Sequence, residues 1–392
     1  MQIDSGPRRA LLATITAIAL SVLAACAGDA EGTGTDGGKE TSAASGKAWS
    51  IPAVMIDCDS PEVDRNGCAG DATEGTYTSL DRSEVTKPWK ICITVPHLKD
   101  PIWVANNYGA VEESRRLGVN MQFHDAGGYT EVTTQAQQIE DCSVQGVDAI
   151  IVGAVSFDAL NPVIETAVAN GIVVIDGGNG ISSPKVQARA VLDYFEMGKA
   201  AGGYLASLGK PAKVALLPGP AGVGWSERSA EGFVEAIAGS SVHVVDKKYG
   251  DTAKEVQLKL VEDLLSAHKD IDVIAGTAVT IDVARTVLME RGLQDQVQLV
   301  ATYLIPSTLD LIKTGAASCA PTEQPVLTYR IAVDQAVRLL EKKPLDDKHE
   351  RFAPQPLLVC GPAAGDKDNL ADFDETTSFA PAGFRPQSKV TP

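Results

Sequence analysis

Short apolar runs alternate with helical periodicities along most of this chain. Continuous apolar runs mark strands buried on both faces. They occur at Ile91–Val95, Met121–Phe123, Ala149–Val152 and Ile172–Ile175, and again at Val214–Leu217, Val242–Val245, Val273–Ala275 and Leu299–Ala301. Between them the period lengthens. Val132, Ala136 and Ile139 are spaced four and three and stop at Gly146, a second helical pattern stops at Gly171, and Ala253–Ala267 carries Val256, Leu260, Leu264 and Leu265 on one side. Two sets of four strands, each followed by a helix or loop, predict an α/β fold: two doubly wound parallel-sheet lobes joined by a hinge. The segment Tyr194–Leu208 reads as the bridge into the second lobe, with the helix Val326–Leu340 and the strand Pro356–Val359 as crossovers. The expected division gives 89–190 and 322–345 to the N-terminal lobe, and 191–321 and 346–360 to the C-terminal lobe. Residues 49–88 read as an irregular lead-in and 361–392 as a tail of no strong pattern.

A different pattern precedes the alternation. Arg8-Arg9, an apolar run from Ala10 to Ala25 and the small residues of Leu23-Ala24-Ala25-Cys26 read as a lipoprotein signal over residues 1–25. The run is shorter than the roughly 20 residues a membrane span needs, and no positive flank follows it. Cys26 is then the expected lipidation site, anchoring the protein to the bilayer outside the cytoplasmic membrane. Residues 26–48 are Gly, Ser, Thr, Ala and Asp without periodicity, a tether with a root-mean-square reach of roughly 25 Å.

The chain has 392 residues, 44% of them hydrophobic, enough for two domains with sizeable cores. Its formal charge is −17, and loss of Asp4 with Arg8 and Arg9 moves the mature chain to about −18. That balance leaves no basic patch and excludes nucleic acid and electrostatic attachment to anionic lipid. Seven cysteines less Cys26 leave six, an even number that suits disulfides in an oxidising compartment. Six cysteines allow fifteen pairings, and the sequence alone does not select among them; the preferred set is Cys58–Cys68, Cys92–Cys142 and Cys319–Cys360. Zinc-ribbon spacing is absent, the five histidines show no ligand spacing and several read as solvated, so neither a metal nor a cofactor is expected. Gly224-Trp225-Ser226-Glu227-Arg228 lacks the last glycine of a nucleophile elbow, and HExxH and GxxxxGK[ST] do not occur. Gly219-Pro220-Ala221-Gly222-Val223-Gly224 reads as a turn beside a cleft in preference to an anion site.

The positive signal lies at the carboxyl ends of the strands, where open parallel sheets bind ligands. Aromatic residues make up only 5% of the chain, yet four stand there: Trp103 after Lys99-Asp100-Pro101-Ile102, Tyr129 after Ala126-Gly127-Gly128, Tyr194 at the entry to the second lobe, and Tyr303 after its last strand. Aromatic faces attract cations, most of all a methylated ammonium, and Asp100 adds a negative charge beside them. Asn179, Trp225 and Thr277 are further candidates. An outward-facing, two-lobed, tethered chain with no catalytic set has the profile of a solute-binding protein, not an enzyme.

From about Lys90 to Pro386 the chain resembles the TorT family of trimethylamine-N-oxide-sensing periplasmic binding proteins. The resemblance is carried by Leu98-Lys99-Asp100 with Trp103, Asn107-Tyr108-Gly109, Ala126-Gly127-Gly128-Tyr129, Phe195 with Met197-Gly198, Pro218-Gly219-Pro220, Glu231-Gly232-Phe233, Asp272-Val273 with Ala275-Gly276-Thr277-Ala278, and Gly383-Phe384-Arg385-Pro386. It implies the type 1 periplasmic binding fold, with relatives among ribose-type sugar binders. It also implies a ligand pocket that uses Asp100, Trp103, Tyr129 and Tyr303, and it supports pairing Cys92 with Cys142. Tyr194 replaces a tryptophan of that family, Ile102 a tyrosine, and Trp225 stands where a glycine is seen. The polyol-binding set of the sugar binders is mostly missing, since Asp176-Gly177, Thr277-Ala278 and Thr302-Tyr303 occupy its places. The implied ligand is therefore a small methylated amine or amine oxide before a sugar. The implied partner is a sensor histidine kinase, whereas the fold at large implies an ABC permease.

Overall fold

The computed structural model describes residues 46–58, 70, 72–345 and 349–392. The leader, Cys26 and most of the tether lie outside them. The strands are β1 (Ser50–Asp57), β2 (Ala72–Thr78), β3 (Lys90–Val95), β4 (Asn120–Asp125), β5 (Ala149–Val152), β6 (Val173–Asp176), β7 (Ala188–Arg189), β8 (Ala212–Gly219), β9 (Val242–Tyr249), β10 (Val273–Gly276), β11 (Gln298–Ala301), β12 (Cys319–Thr322), β13 (His349–Pro354), β14 (Leu357–Cys360) and β15 (Lys389–Val390). The helices are α1 (Pro101–Leu117), α2 (Val132–Val144), α3 (Asn161–Ala169), α4 (Tyr194–Ser207), α5 (Gly224–Ile237), α6 (Lys254–Ala267), α7 (Ala278–Glu290), α8 (Pro306–Lys313) and α9 (Pro325–Leu340).

Two parallel sheets form the centres of two lobes. The first has the parallel core β4-β3-β5-β6, in which Ile93 of β3 lies opposite Phe123 on one side and Ile151 on the other. The second runs β11-β10-β8-β9, with Ala275 between Leu216 and Val300. Both follow the doubly wound order 2-1-3-4, in which the crevice at the switch point opens beyond the carboxyl ends of the central strands. Strands β3, β5 and β10 are short and buried on both faces, which is why the sequence shows them as unbroken apolar runs.

Three stretches depart from the expected division. Residues 49–88 hold β1 and β2, an antiparallel pair in register from Ser50–Thr78 to Ile56–Ala72, not an irregular lead-in. Ala53 of β1 is buried in the first core and Ile56 is buried too, while its other residues are more open, so too few apolar positions advertise the strand. Residues 349–354, expected in the second lobe, form β13 inside the first sheet, antiparallel to β1 and beside β7. The tail adds β15 to the first sheet's edge along β4. The separate pair β12–β14 is antiparallel and carries the Cys319–Cys360 disulfide at its register position. Cys92–Cys142 joins β3 to α2. Each bridge contributes about 2–4 kcal/mol by restricting the unfolded chain. Cys68, expected to pair with Cys58, lies outside the described residues. Among the described residues, one group of side chains has metal-like spacing, Cys92, His124 and Cys142, and its two sulfurs are spent in the disulfide. No helix among them is long and apolar enough to cross a membrane.

Helix ends position the site. Asp100 caps α1 by accepting from the Ile102 N–H at 3.0 Å, with Pro101 supplying the first helical residue. Asp193 caps α4 in the same way through Phe195 and Glu196. Helices α4 and α5 touch backbone to backbone, because a Cβ on Gly198 would meet the Ser229 carbonyl at 1.9 Å and one on Gly232 the Phe195 carbonyl at 1.9 Å. That contact fixes the start of α4, with Tyr194, against the start of α5, with Trp225.

Candidate functional site

A cavity lies where the loops of the two lobes converge. Asp100, Trp103, Tyr129, Tyr194 and Tyr303 all line it, as do Asn179 and Trp225. Trp225 is the meeting point of the rings. Its centroid lies 6.3 Å from Tyr129, 6.5 Å from Tyr194 and 5.9 Å, edge-on, from Tyr303. Trp103 packs edge-on against Tyr329 at 6.2 Å. Such spacings are those of mutually packed aromatic pairs.

Every phenol in the cage has its hydroxyl engaged. Tyr303 donates to Asp100 Oδ2 across the cleft. Tyr194 donates to the Gly178 carbonyl at 2.5 Å and approaches Glu323 at 3.1 Å. Tyr329 donates to the Gly177 carbonyl at 2.9 Å. The Tyr129 oxygen accepts from Trp225 Nε1 at 3.1 Å and from Asn179 Nδ2 at 3.3 Å. Burial pushes all four phenols above the usual tyrosine range, so they stay protonated. Burial also pushes Asp100 up, against the pull of its bonds from Tyr303 and the Ile102 N–H. Glu323 is pushed up to about 7 by burial, while the Tyr194 bond lowers it and the charge of Asp100 raises it further.

A latch closes the cleft beside the cage. Asp251, after β9, accepts from the Tyr129 backbone N–H at 2.9 Å and lies 3.2 Å from His97 Nε2, whose ring stands edge-on to Tyr129. Thr252 reaches the same His97 nitrogen at 3.2 Å. His97 is therefore buried, unlike the solvated histidines expected from the sequence. The Gly222 N–H donates to Glu227, so the start of α5 is already served by an acid from its own first turn.

One candidate stands apart. Thr277 does not line the cavity; its hydroxyl caps α7 by accepting from the Thr280 N–H at 3.0 Å. The sequence reading missed Glu323, Asn106, Ser229, Thr302 and Tyr329, which do line it. Asn106 had a signal: with Asp100 and Trp103 it falls at steps of three on one helical face. Glu323 precedes Pro325 at the head of α9, a position that from sequence reads only as a helix start.

Residues 91–344 match the model of the periplasmic binding protein domain. The chain is 36% identical over 318 residues to the periplasmic protein TorT of Escherichia coli K12, covering 81% of this chain and 89% of that one. It is 26% identical over 258 residues to the ribose import binding protein RbsB of Bacillus subtilis, with coverages of 66% and 83%. Among solved structures it resembles an ABC transporter solute-binding protein of Bradyrhizobium sp. BTAi1 with bound bis-tris, at 41% identity and a TM-score of 0.70, covering 86% of this chain and 97% of that one. It also resembles the TorS sensor domain–TorT complex in the presence of trimethylamine N-oxide, at 30% identity and a TM-score of 0.67, with coverages of 76% and 99%.

Proposed function

Because the chain belongs to the periplasmic binding protein family, whose members bind solutes outside the cytoplasm and are not enzymes, we propose that it captures a small methylated amine or amine oxide between its lobes. One observation carries the reading: four rings from distant stretches, Trp103, Tyr129, Tyr194 and Tyr303, border one cavity together with Asp100. Aromatic faces hold methylated nitrogen through the ring quadrupole, and a desolvated cage makes that attraction stronger. The TorT complex with trimethylamine N-oxide supports the same class. So does bis-tris, itself a tertiary amine, in the Bradyrhizobium relative. Binding would shift an open–closed equilibrium of the lobes, and a membrane partner would read the closed form. The TorS–TorT complex favours a sensor kinase in that role; the description of the Bradyrhizobium protein favours an ABC permease as the second reading. Lipidation of Cys26 would hold the protein at the membrane surface in either case.

A thermal-shift panel of trimethylamine N-oxide, choline, glycine betaine, carnitine and ribose tests the ligand class. A true ligand at 100 times its Kd is expected to stabilise the fold by about 2.7 kcal/mol, seen as a rise of several degrees in Tm. A shift with ribose and none with the amines would remove the cage reading. The latch makes a second, smaller prediction. Asp251→Ala deletes a cross-lobe acceptor without touching the cavity lining, and is expected to weaken amine binding about fivefold, roughly 1 kcal/mol. Calorimetric titration of the variant reads it directly; an unchanged Kd would mean the latch does not contribute to closure.

A further inference from the structure

The charges and orphaned polar atoms of the cavity narrow the ligand class, resting on the amine reading above. We propose that the ligand is a cation carrying hydrogen-bond donors of its own, a hydroxylated ammonium, in preference to a neutral amine oxide. The first ground is charge. Two carboxyl groups, Asp100 and Glu323, line the cavity, and no lysine, arginine or histidine does among the described residues. They come from separate stretches of chain, Asp100 from the head of α1 and Glu323 from the connection between β12 and α9, and each feels the same cavity: the charge of Asp100 bears on Glu323. A cation in the cavity has two acids in its wall. The oxygen of an amine oxide is negative and accepts only; it has no cationic side chain there to meet it.

The second ground is unmet hydrogen bonding. The Asn106 amide oxygen and the Ser229 and Thr302 hydroxyls have no hydrogen-bond partner among the described residues. All three residues line the cavity and are more than nine-tenths buried, at 6%, 3% and 3% exposure. Buried polar atoms are nearly always paired, so an orphan in a cavity wall marks where a guest completes the bond. An amide oxygen takes only a donor. A hydroxyl arm supplies that hydrogen, and its oxygen then accepts from Ser229 or Thr302. Trimethylamine N-oxide has no hydrogen to give. Tyr194, Tyr303 and Tyr329 already donate to Gly178, Asp100 and Gly177, while the Tyr129 oxygen only accepts and keeps its hydrogen for an acceptor such as the oxygen of a hydroxyl arm.

The ionisation of Glu323 gives the proposal a signature. The groups facing it are Tyr194 on α4, Asp100 at the head of α1, Tyr303 after β11 and Tyr329 on α9. The phenols stay neutral, and His97, behind the lining, bears on Asp100. Ionisation of Glu323 near 7 therefore adds negative charge to the cage as pH rises. A quaternary ammonium, whose own charge is fixed, binds more tightly across that range. An amine oxide binds less tightly, because it loses a protonated carboxyl able to donate to its oxygen.

Calorimetric titration with choline, tetramethylammonium and trimethylamine N-oxide at pH 5.5, 7 and 8.5 is the test (about 1.5 pH units on either side of the Glu323 transition). Choline is expected to bind about tenfold more tightly than either other probe, with affinity rising with pH. Glu323→Gln is expected to cost choline and tetramethylammonium about tenfold at pH 8.5 and to flatten the pH profile, while trimethylamine N-oxide binds more tightly there, because the neutral amide restores a donor. Ser229→Ala with Thr302→Val is expected to erase the preference for choline over tetramethylammonium. Tighter binding of trimethylamine N-oxide than of both cations, or a choline affinity that falls with pH in the unmodified protein, overturns the charge inference and leaves the amine cage standing. Equal affinity for choline and tetramethylammonium overturns the hydroxyl inference alone. Binding of ribose only, or of no probe, overturns the amine reading and this inference together.

Discussion

Replacing Trp225 by alanine is expected to weaken ligand capture about 100-fold, close to 2.8 kcal/mol. Three tyrosines meet its ring, and its indole N–H is one of the two donors that hold the Tyr129 oxygen. Trp225 stands at the start of α5 in the second lobe, whereas Tyr129 follows β4 in the first. The contact therefore exists only when the lobes meet, and its loss falls on the closed, ligand-holding form. Large buried tryptophans at the centre of an interface typically cost 2 kcal/mol or more on truncation. Calorimetric titration with an amine that shifts the melt gives the number. A loss below threefold would show that the tyrosines hold the guest without it, and that the ring serves packing alone.

Glu113→Ala is expected to cost about 3–5 kcal/mol of stability while leaving the cavity wall intact. Glu113 on α1 is fully buried and accepts from four directions at once: Trp49 Nε1 at 3.0 Å, Arg116 through Nε at 3.1 Å and through Nη2, and Arg330 Nε at 2.9 Å. Arg116 is itself buried, and its Nη1 donates to the Leu80 carbonyl at 2.7 Å and the Lys47 carbonyl at 2.9 Å. The next acid, Asp334, lies 3.9 Å from Arg116 and is committed to Tyr77 at 2.6 Å, the Leu80 N–H at 2.8 Å and Arg338 at 2.7 Å. Removing Glu113 leaves the buried guanidinium only the longer ion pair to Asp334, at 3.9 Å, and none of its carboxylate hydrogen bonds. The cluster ties α1, α9 and the segment before β3 into one block. Urea unfolding monitored by circular dichroism should show the lowered midpoint; a shift under 1 kcal/mol would mean that water reaches Arg116 and solvates it.

Most of the strands that were legible in the sequence share one property. Strands β3, β5, β6, β8, β10 and β11 are covered on both faces, so burial demands an apolar residue at nearly every position. Strands β1, β2 and β15 are half open or at an edge, and polar residues such as Thr73, Glu74 and Lys389 are free to occupy them. Placing β13 between β7 and β1 depends on partners up to about 300 residues away in the chain, a pairing that local pattern does not encode. The site divides in the same way. Trp103, Tyr129, Tyr194 and Tyr303 were found because a large ring after a buried strand is unusual. Glu323, Asn106, Ser229 and Thr302 are small or common polar residues, made distinctive only by burial without a partner or beside another acid. Thr277 misled because it occupies the correct strand end, yet the first turn of α7 claims its hydroxyl.

Tyr194 and Glu323 sit on two of the connections that pass between the sheets, and they touch each other. On the function proposed above, a guest seated against them would bear on the axle of the molecule, and the rims far from it would move most. Near a pivot, a change of a fraction of an ångström in guest size would become a larger excursion at the outer edges. A receptor gripping both edges would then be told the angle of the jaw, not the identity of the molecule inside it, and two solutes differing by a single arm would become separable signals.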